Sequence, residues 1–361
     1  MSTDVGDEDG AAPGGGADGE TPGYDRPAVE AWIDANIASL GGPLVWERLE
    51  GGHSNLTFRL TDGSGRTAVI RRPPLGELLP KAHDMRREFT IISGLGPTGV
   101  PVPEALGLCE DTSVTGAVFY VMSEVGGRAL YDVDDVEEHL SMEARAAVGR
   151  SFIGTLATLH AIDPADVGLD RLSRHDGYVA RQLRTWYGSW QASIEGAGYD
   201  DPRIHTLHDH LVGRIPQQGP ARVVHGDFGM HNCMVDADGA VVAVLDWEIA
   251  TLGDPLADFA YAINGWSDPD DEIRVSHEAA TTAPGFARRQ ELIDHYASLT
   301  GCDLSHLDYY RAFNYFKTAC IVHGVYARYL QGKKSTEGVD VEGLRERMLG
   351  AIELAVAQAG S

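Results

Sequence analysis

Apolar residues recur at helical spacing across AVEAWIDANIASL, residues 28–40, and Gly41-Gly42-Pro43 closes that predicted helix. The pattern then breaks into short strand-like runs: LVWERLEG at 44–51, LTFRL at 56–60 and TAVIR at 67–71. Thr61-Asp62-Gly63-Ser64-Gly65 makes a turn between the last two. Helical spacing returns in MRREFTIISGL, residues 85–95, and AVFYVMSEV at 117–125 reads as another strand, ended by Gly126-Gly127. Beyond that pair helices dominate. Residues 143–162 place Phe152, Ile153, Leu156 and Leu159 on one face, and residues 309–330 form a long apolar helix that should be buried. Between them, two short strands at 233–235 and 241–245 flank Asp238-Gly239. The pattern predicts an α+β chain: a small sheet-rich portion over residues 25–125 and a larger, mostly helical portion over 126–361. Residues 1–24 are Gly-rich and acidic with no Lys or Arg, which predicts a disordered tail.

Charge narrows the choice of partner. The 361 residues carry 54 acidic against 29 basic side chains, a net charge of −25. Gripping phosphate backbones or anionic lipid takes many Lys and Arg, so neither nucleic acid nor a membrane surface is an expected partner. Four scattered cysteines without a CxxC pair argue against a disulfide framework and fit a reducing cytoplasm. The N-terminal stretch has no basic segment followed by an apolar one, so no signal peptide is read there.

The chemistry concentrates in HGDFGMHN, residues 225–232, and VLDWE, residues 244–248. Phosphoryl transfer needs an acceptor hydroxyl held in line with the phosphate and positive charge to offset the phosphate oxygens. Asp227 is the expected catalytic carboxylate. Asn232, five positions later, offers an amide oxygen to a metal, the spacing of the kinase pattern H-R-D-x-x-x-x-N with Gly226 in place of Arg. A hairpin then delivers Asp246 as a second oxygen ligand, suited to Mg²⁺. His225 reads as a buttress of the loop, and Asp254 and Asp258 as scaffold that caps a helix and holds loop amides. A rival reading makes His225 and His231 ligands of a metal-dependent hydrolase. HTLHDH at 205–210 invites a metal too, but a solvated helix explains it better.

With these segments in view, the chain resembles the aminoglycoside phosphotransferase and choline kinase-like family, which has a protein-kinase-like bilobal fold. Within that family it is similar to the branch of kinase-like domains fused to acyl-CoA dehydrogenases, on the strength of LEGGHSNLTFRL, RRPPLGELLPKAHDMRREF and YYRAFNYFKTACIVHGVYARYL. The resemblance implies ATP as co-substrate, Mg²⁺ and a small-molecule hydroxyl acceptor. It implies a phosphate hairpin using Gly51, Gly52, Ser54 and Asn55. It places Arg71 where the family carries a phosphate-binding Lys, with Glu88 as its partner. It makes the strand through Met122, Ser123 and Val125 the adenine-contacting hinge.

Acceptor recognition is expected near residues 170–200, where Arg174, Arg181 and Arg184 suit an anionic group and Trp186 and Trp190 could stack a ring or line an acyl channel. The expected reaction is therefore ATP-dependent phosphorylation of a small anionic alcohol such as a hydroxyacyl-CoA. An antibiotic phosphotransferase acting on aminoglycosides is the alternative, and a polycationic acceptor would favour an acidic rim instead.

Overall fold

The computed structural model describes residues 21–49, 55–75, 83–274, 280–332 and 339–360. The chain divides into two compact units, Met1–Met85 with Leu106–Glu124, and Arg86–Ala105 with Val125–Ser361.

The first unit is a helix and a five-stranded sheet. Helix α1 (Arg26–Asn36) starts where the Asp25 carboxylate accepts the Ala28 N–H at 3.3 Å. It ends a turn earlier than its apolar spacing predicts. Ile37 leaves helical geometry there, and Ile37 and Leu40 turn into the core instead of continuing the helix face. The strands are β1 (Val45–Arg48), β2 (Leu56–Thr61), β3 (Thr67–Arg72), β4 (Ala105–Cys109) and β5 (Phe119–Ser123), in the spatial order β1-β2-β3-β5-β4. Antiparallel register sets Arg71 opposite Thr57 and Tyr120, Met122 opposite Val69, and Ser123 opposite Ala68. Strand β4, ALGLC, was not anticipated: it has no β-branched or aromatic residue to signal a strand.

The predicted tail needs correction at its end. Residues 1–20 lie outside the described residues, but Tyr24 is a core residue. Its ring lies 5.3 Å from Trp46 and 5.5 Å from Phe58, and its hydroxyl donates to Leu56 O at 3.0 Å. Arg72 is committed to the same corner, stacked over Tyr24 and donating to Thr115 O at 2.9 Å.

The second unit contains α2 (Met85–Leu95) apart from its first residue, then α3 (Val133–His139), α4 (Met142–Ala161), α5 (Tyr178–Ala197), α6 (Pro202–Val212), α7 (Pro255–Gly265), α8 (Arg289–Thr300), α9 (Leu307–Leu330) and α10 (Val341–Ala359). Two short ribbons complete it: β6 (Arg222–Val224) with β9 (Thr251–Gly253), and β7 (Cys233–Val235) with β8 (Val241–Val244). Residues 86–105 were expected to belong with the sheet and instead join this unit. Arg87 donates to Leu172 O at 3.0 Å and Ala250 O at 2.6 Å, and Pro101 O accepts the Val244 N–H at 2.8 Å. These backbone attachments outweigh sequence proximity to the strands.

Helix α9 is buried along most of its length and packs against α5, α7 and α10. Among the described residues, no helix is long and apolar enough to cross a membrane.

Candidate active site

The loop between β6 and β7 is held from beneath by one carboxylate. Asp258, in the first turn of α7 and fully buried, accepts the backbone N–H of His225 and of Gly226, each at 2.7 Å. His160 of α4 lies against the same carboxylate at 3.2 Å and meets the Tyr296 hydroxyl with its other ring nitrogen at 2.7 Å. Burial pushes the Asp258 carboxyl up, but the His160 contact and the loop amides reverse that, leaving it below its ordinary range. Asp254 caps α7 by accepting the Leu256 N–H at 3.1 Å and takes the Tyr310 hydroxyl at 2.6 Å; burial raises its pKa.

Gly226 adopts φ of +83°, a backbone state that an Arg at this place would strain. This accounts for the glycine in the loop. His225 accepts the Asp227 N–H on Nδ1 at 3.3 Å and donates from Nε2 to Leu245 O at 2.9 Å. Both ring nitrogens are committed to backbone, so His225 is a buttress and not a metal ligand. Among the described residues, no group of three or more His, Cys, Asp or Glu side chains is arranged to hold a metal.

The Asp227 side chain is engaged at both oxygens. Tyr261 of α7 donates its hydroxyl to Oδ1. Oδ2 accepts from Asn232 Nδ2 at 3.2 Å and lies 3.3 Å from His231 Nε2. Burial alone would raise the pKa of this carboxyl; the contacts with His231 and Tyr261 and the nearby His225 outweigh it and hold the group well below the usual carboxylate range. Asp227 is thus ionised at any physiological pH.

Asn232 also donates from Nδ2 to Asp227 O at 2.9 Å, so its amide nitrogen is spent on the loop. The β7–β8 ribbon brings the second acidic residue back: Cys233 pairs with Val244, and the Leu245 N–H donates to Asn232 O at 2.8 Å. Asp246 follows directly, in the left-handed region at φ 62° and ψ 58°. A non-glycine residue there stores backbone strain, as functional positions often do.

A cavity of about 260 Å³ opens beside Asp227. Its walls include His231, Tyr261, Asn264, Trp266, Asn314 and Arg347. Arg174, Arg181, Arg184, Trp186 and Trp190, the residues expected to meet the acceptor, do not line it. Arg181 donates to the Asp176 and Arg174 carbonyls and so ties down the segment before α5. Arg174 and Arg184 are exposed, and Trp186 donates to Gln182 one turn back at 2.8 Å. Trp190 is fully buried, stacked on His323 with ring centroids 3.8 Å apart and bonded to Asp200 at 2.9 Å. It is a core residue.

Of the residues expected to meet nucleotide, Gly51, Gly52 and Ser54 lie outside the described residues. Asn55 is buried, and neither atom of its amide has a hydrogen-bond partner among them. Arg71 is buried at the end of β3, and Glu88 is buried in the first turn of α2. Met122 is buried in β5 and Ser123 ends that strand. The 205–210 histidines lie on α6, where His208 stacks on Tyr187 at 3.9 Å and His205 contacts Asp200 at 3.1 Å.

Two residues beside Asp227 escaped the sequence reading. Tyr261 is one. The other is Lys317 of α9, a buried ammonium that donates to Gly226 O at 2.9 Å and sits 4.7 Å from the centre of the Tyr261 ring. A signal existed: Tyr310, Asn314 and Lys317 put polar groups at i, i+4 and i+7 on an otherwise apolar helix.

Comparison with known proteins shows the family and the fold. The model of the phosphotransferase enzyme family matches residues 45–292. Acyl-CoA dehydrogenase family member 11 from Homo sapiens is 34% identical over 322 residues, covering 87% of this chain and 40% of that protein. A probable acyl-CoA dehydrogenase, IBR3, from Arabidopsis thaliana is 34% identical over 324 residues, 83% of this chain and 39% of its own length. The chain thus spans about two fifths of these relatives. A crystal structure from Ralstonia eutropha, provisionally described as an aminoglycoside phosphotransferase, superposes with a TM-score of 0.80 at 29% identity, covering 93% of this chain and 98% of that one. Aminoglycoside phosphotransferase APH(4)-Ia, solved with ADP and hygromycin B, shares the fold at a TM-score of 0.57 and 17% identity, over 92% of this chain and 98% of that one. The chain belongs to the phosphotransferase enzyme family and has its kinase-like α+β fold.

Proposed function

We propose that this phosphotransferase moves the γ-phosphoryl group of ATP to a hydroxyl of a small anionic metabolite, with a hydroxyacyl-CoA as the leading acceptor class. The observation that carries the reading is the Asp227 carboxylate, held by Tyr261, His231 and Asn232 at the wall of a cavity. An acceptor alcohol in that cavity would donate its O–H to Asp227. Its oxygen then bonds to the γ-phosphorus as the bond to the β–γ bridging oxygen breaks. ADP leaves, and the proton passes to Asp227. In a loose transition state the alcohol needs orientation more than early deprotonation.

Arg347 supports an anionic acceptor, since it brings a guanidinium to the same cavity, and Phe152, Phe228 and Trp266 add apolar wall. The dehydrogenase names of the curated relatives point to acyl-CoA chemistry by analogy alone. Asn232 and Asp246 fit a hard divalent cation: the amide nitrogen of Asn232 is already used, and what remains on both side chains is oxygen. Mg²⁺ bound there would offset the negative charge of the nucleotide phosphates. The Asn55 amide, without a hydrogen-bond partner among the described residues, supports a role towards phosphate, and we assign phosphate contact to Arg71 as well. Unchanged ATP affinity and turnover in Arg71→Ala would remove that assignment.

The deciding experiment incubates the purified protein with Mg-ATP and a panel of hydroxyacyl-CoAs, phosphorylated alcohols and aminoglycosides, and follows phosphorylated product. Preference for a hydroxyacyl-CoA is the expected result. Preference for an aminoglycoside, the acceptor class suggested by structural neighbours such as the hygromycin B complex, would overturn the anionic assignment.

A further inference from the structure

We propose that Lys317 and Tyr261 are positioning residues that together fix the orientation of Asp227, one through its backbone and the other through its carboxylate. The inference rests on the reading of Asp227 as the carboxylate that meets the acceptor.

The peptide group joining Gly226 to Asp227 is held at both ends. Lys317 Nζ donates to its carbonyl at 2.9 Å, and its N–H donates to His225 Nδ1 at 3.3 Å. This fixes the plane from which the Asp227 side chain departs. Rotation of the carboxylate is then restrained by Tyr261 on Oδ1 and by Asn232 and His231 on Oδ2. The two restraints are coupled, because the Lys317 ammonium lies 4.7 Å from the centroid of the Tyr261 ring.

The helices that carry these side chains are themselves tied together. Tyr310 of α9 donates to Asp254 at 2.6 Å, and Asn314 of α9 donates to Ala257 O at 2.8 Å. Arg311 donates to Asn264 Oδ1 at 3.0 Å, and Asn264 donates back to Arg311 O at 3.0 Å. Lys317 and Tyr261 therefore sit on one rigid α7–α9 pair, a support that holds reacting groups far more closely than a loop would. A buried ammonium is costly unless its charge is used. Burial lowers the Lys317 pKa, and the nearby Asp227 and Asp258 carboxylates oppose that shift only in part. Packing alone would be served by Met at this position.

Misplacing a reacting group by about an ångström costs on the order of 10²-fold in rate while leaving ligand binding intact. Tyr261→Phe removes one hydroxyl and keeps the ring; Lys317→Met keeps the length and removes the charge. The test measures phosphate release from Mg-ATP, with water as acceptor, for wild type, Tyr261→Phe, Lys317→Met and Asp227→Asn, together with KM for ATP and the melting temperature. The expected result is a kcat lower by about 10- to 100-fold in Tyr261→Phe with KM for ATP unchanged. Lys317→Met should lose at least as much. Wild-type kcat in Tyr261→Phe, with Asp227→Asn inactive, would overturn the positioning role alone. Wild-type kcat in Asp227→Asn would instead overturn the reading of Asp227, and the inference with it. Because Tyr261→Phe leaves the Gly226 backbone contact in place, it keeps the question answerable even if Lys317→Met fails to fold.

Discussion

Asp258 Oδ1 accepts the Gly226 N–H at 2.7 Å, so a helix-borne carboxylate thirty-two residues downstream sets the conformation of the loop that presents Asp227. The same carboxylate takes the His225 N–H and faces His160. Asp258→Ala leaves two buried N–H groups and a histidine without their acceptor. Removing one partner of such a buried charged network costs about 3–5 kcal/mol. A denaturant titration of Asp258→Ala should show a loss of that size, with phosphotransfer lost in whatever fraction remains folded. A loss under about 1 kcal/mol, the worth of one ordinary hydrogen bond, would contradict the scaffold role.

Asp227→Ala should slow turnover and spare nucleotide binding. A positioned proton acceptor contributes roughly 10²- to 10⁴-fold, so kcat should fall within that range. Isothermal titration with Mg-ATP should give an affinity within about threefold of wild type, well below the factor of 10 that ~1.4 kcal/mol of lost binding would produce. Loss of nucleotide binding together with turnover would contradict a role confined to the acceptor.

Arg347→Ala should weaken recognition of an anionic acceptor. A hydrogen bond to a charged group is worth about 1.5–3 kcal/mol, so KM for an anionic acceptor should rise about 10- to 100-fold. KM for ATP should not move. An equal KM for the anionic acceptor in both proteins would show that its charge is recognised elsewhere.

Trp190→Ala should behave as a core truncation. The ring is fully buried against His323, and such truncations cost about 3–5 kcal/mol. Thermal unfolding should show the loss, while KM for the acceptor stays at its wild-type value. A selective rise in acceptor KM with stability intact would return Trp190 to the acceptor surface where the sequence first suggested it.

Asp201 offers a pH-dependent prediction away from the site. It caps α6 by accepting the Arg203 N–H at 2.9 Å and also takes the Arg203 guanidinium and the Tyr199 hydroxyl, each at 2.7 Å. The Arg203 contact, countered in part by burial, holds its pKa down at about 2. A depressed pKa means that stability is present above the unfolded value near 3.9 and is lost as pH falls through the folded one. At neutral pH, Asp201→Ala should be about 1 kcal/mol less stable than wild type, the usual worth of a cap. The difference should shrink as both proteins are titrated from pH 4 towards pH 2. A difference that stays constant over that window would exclude the ionised cap as its source.

The arrangement of the loop was legible because it is local. Asn232 stands five positions after Asp227, and one short hairpin returns the chain so that the backbone of Leu245, next to Asp246, pairs with that of Asn232. The assignment of His225, Asp254 and Asp258 to scaffold also followed from position within the loop and at the start of α7. Lys317 and Tyr261 were missed for the opposite reason. They lie on helices far along the chain from Asp227, and a lone Lys on an apolar helix does not declare which loop it reaches. Charge in the segment that carries the acceptor arginines says nothing about the direction its side chains take. Arg181 is turned back onto the carbonyls before its own helix.

Local covalent spacing and hydrophobic period were enough to determine the sheet-then-helix order of the elements and the order Asp227, Asn232, Asp246. Only the tertiary structure decided what stands beside them. The cavity wall gathers Phe152, His231, Tyr261, Asn314 and Arg347 from separate parts of the chain, and residues 86–105 join the helical unit through backbone contacts. Helix packing makes those choices by fitting side chains across interfaces, and a periodic pattern within one segment records which face is apolar but not which partner will cover it.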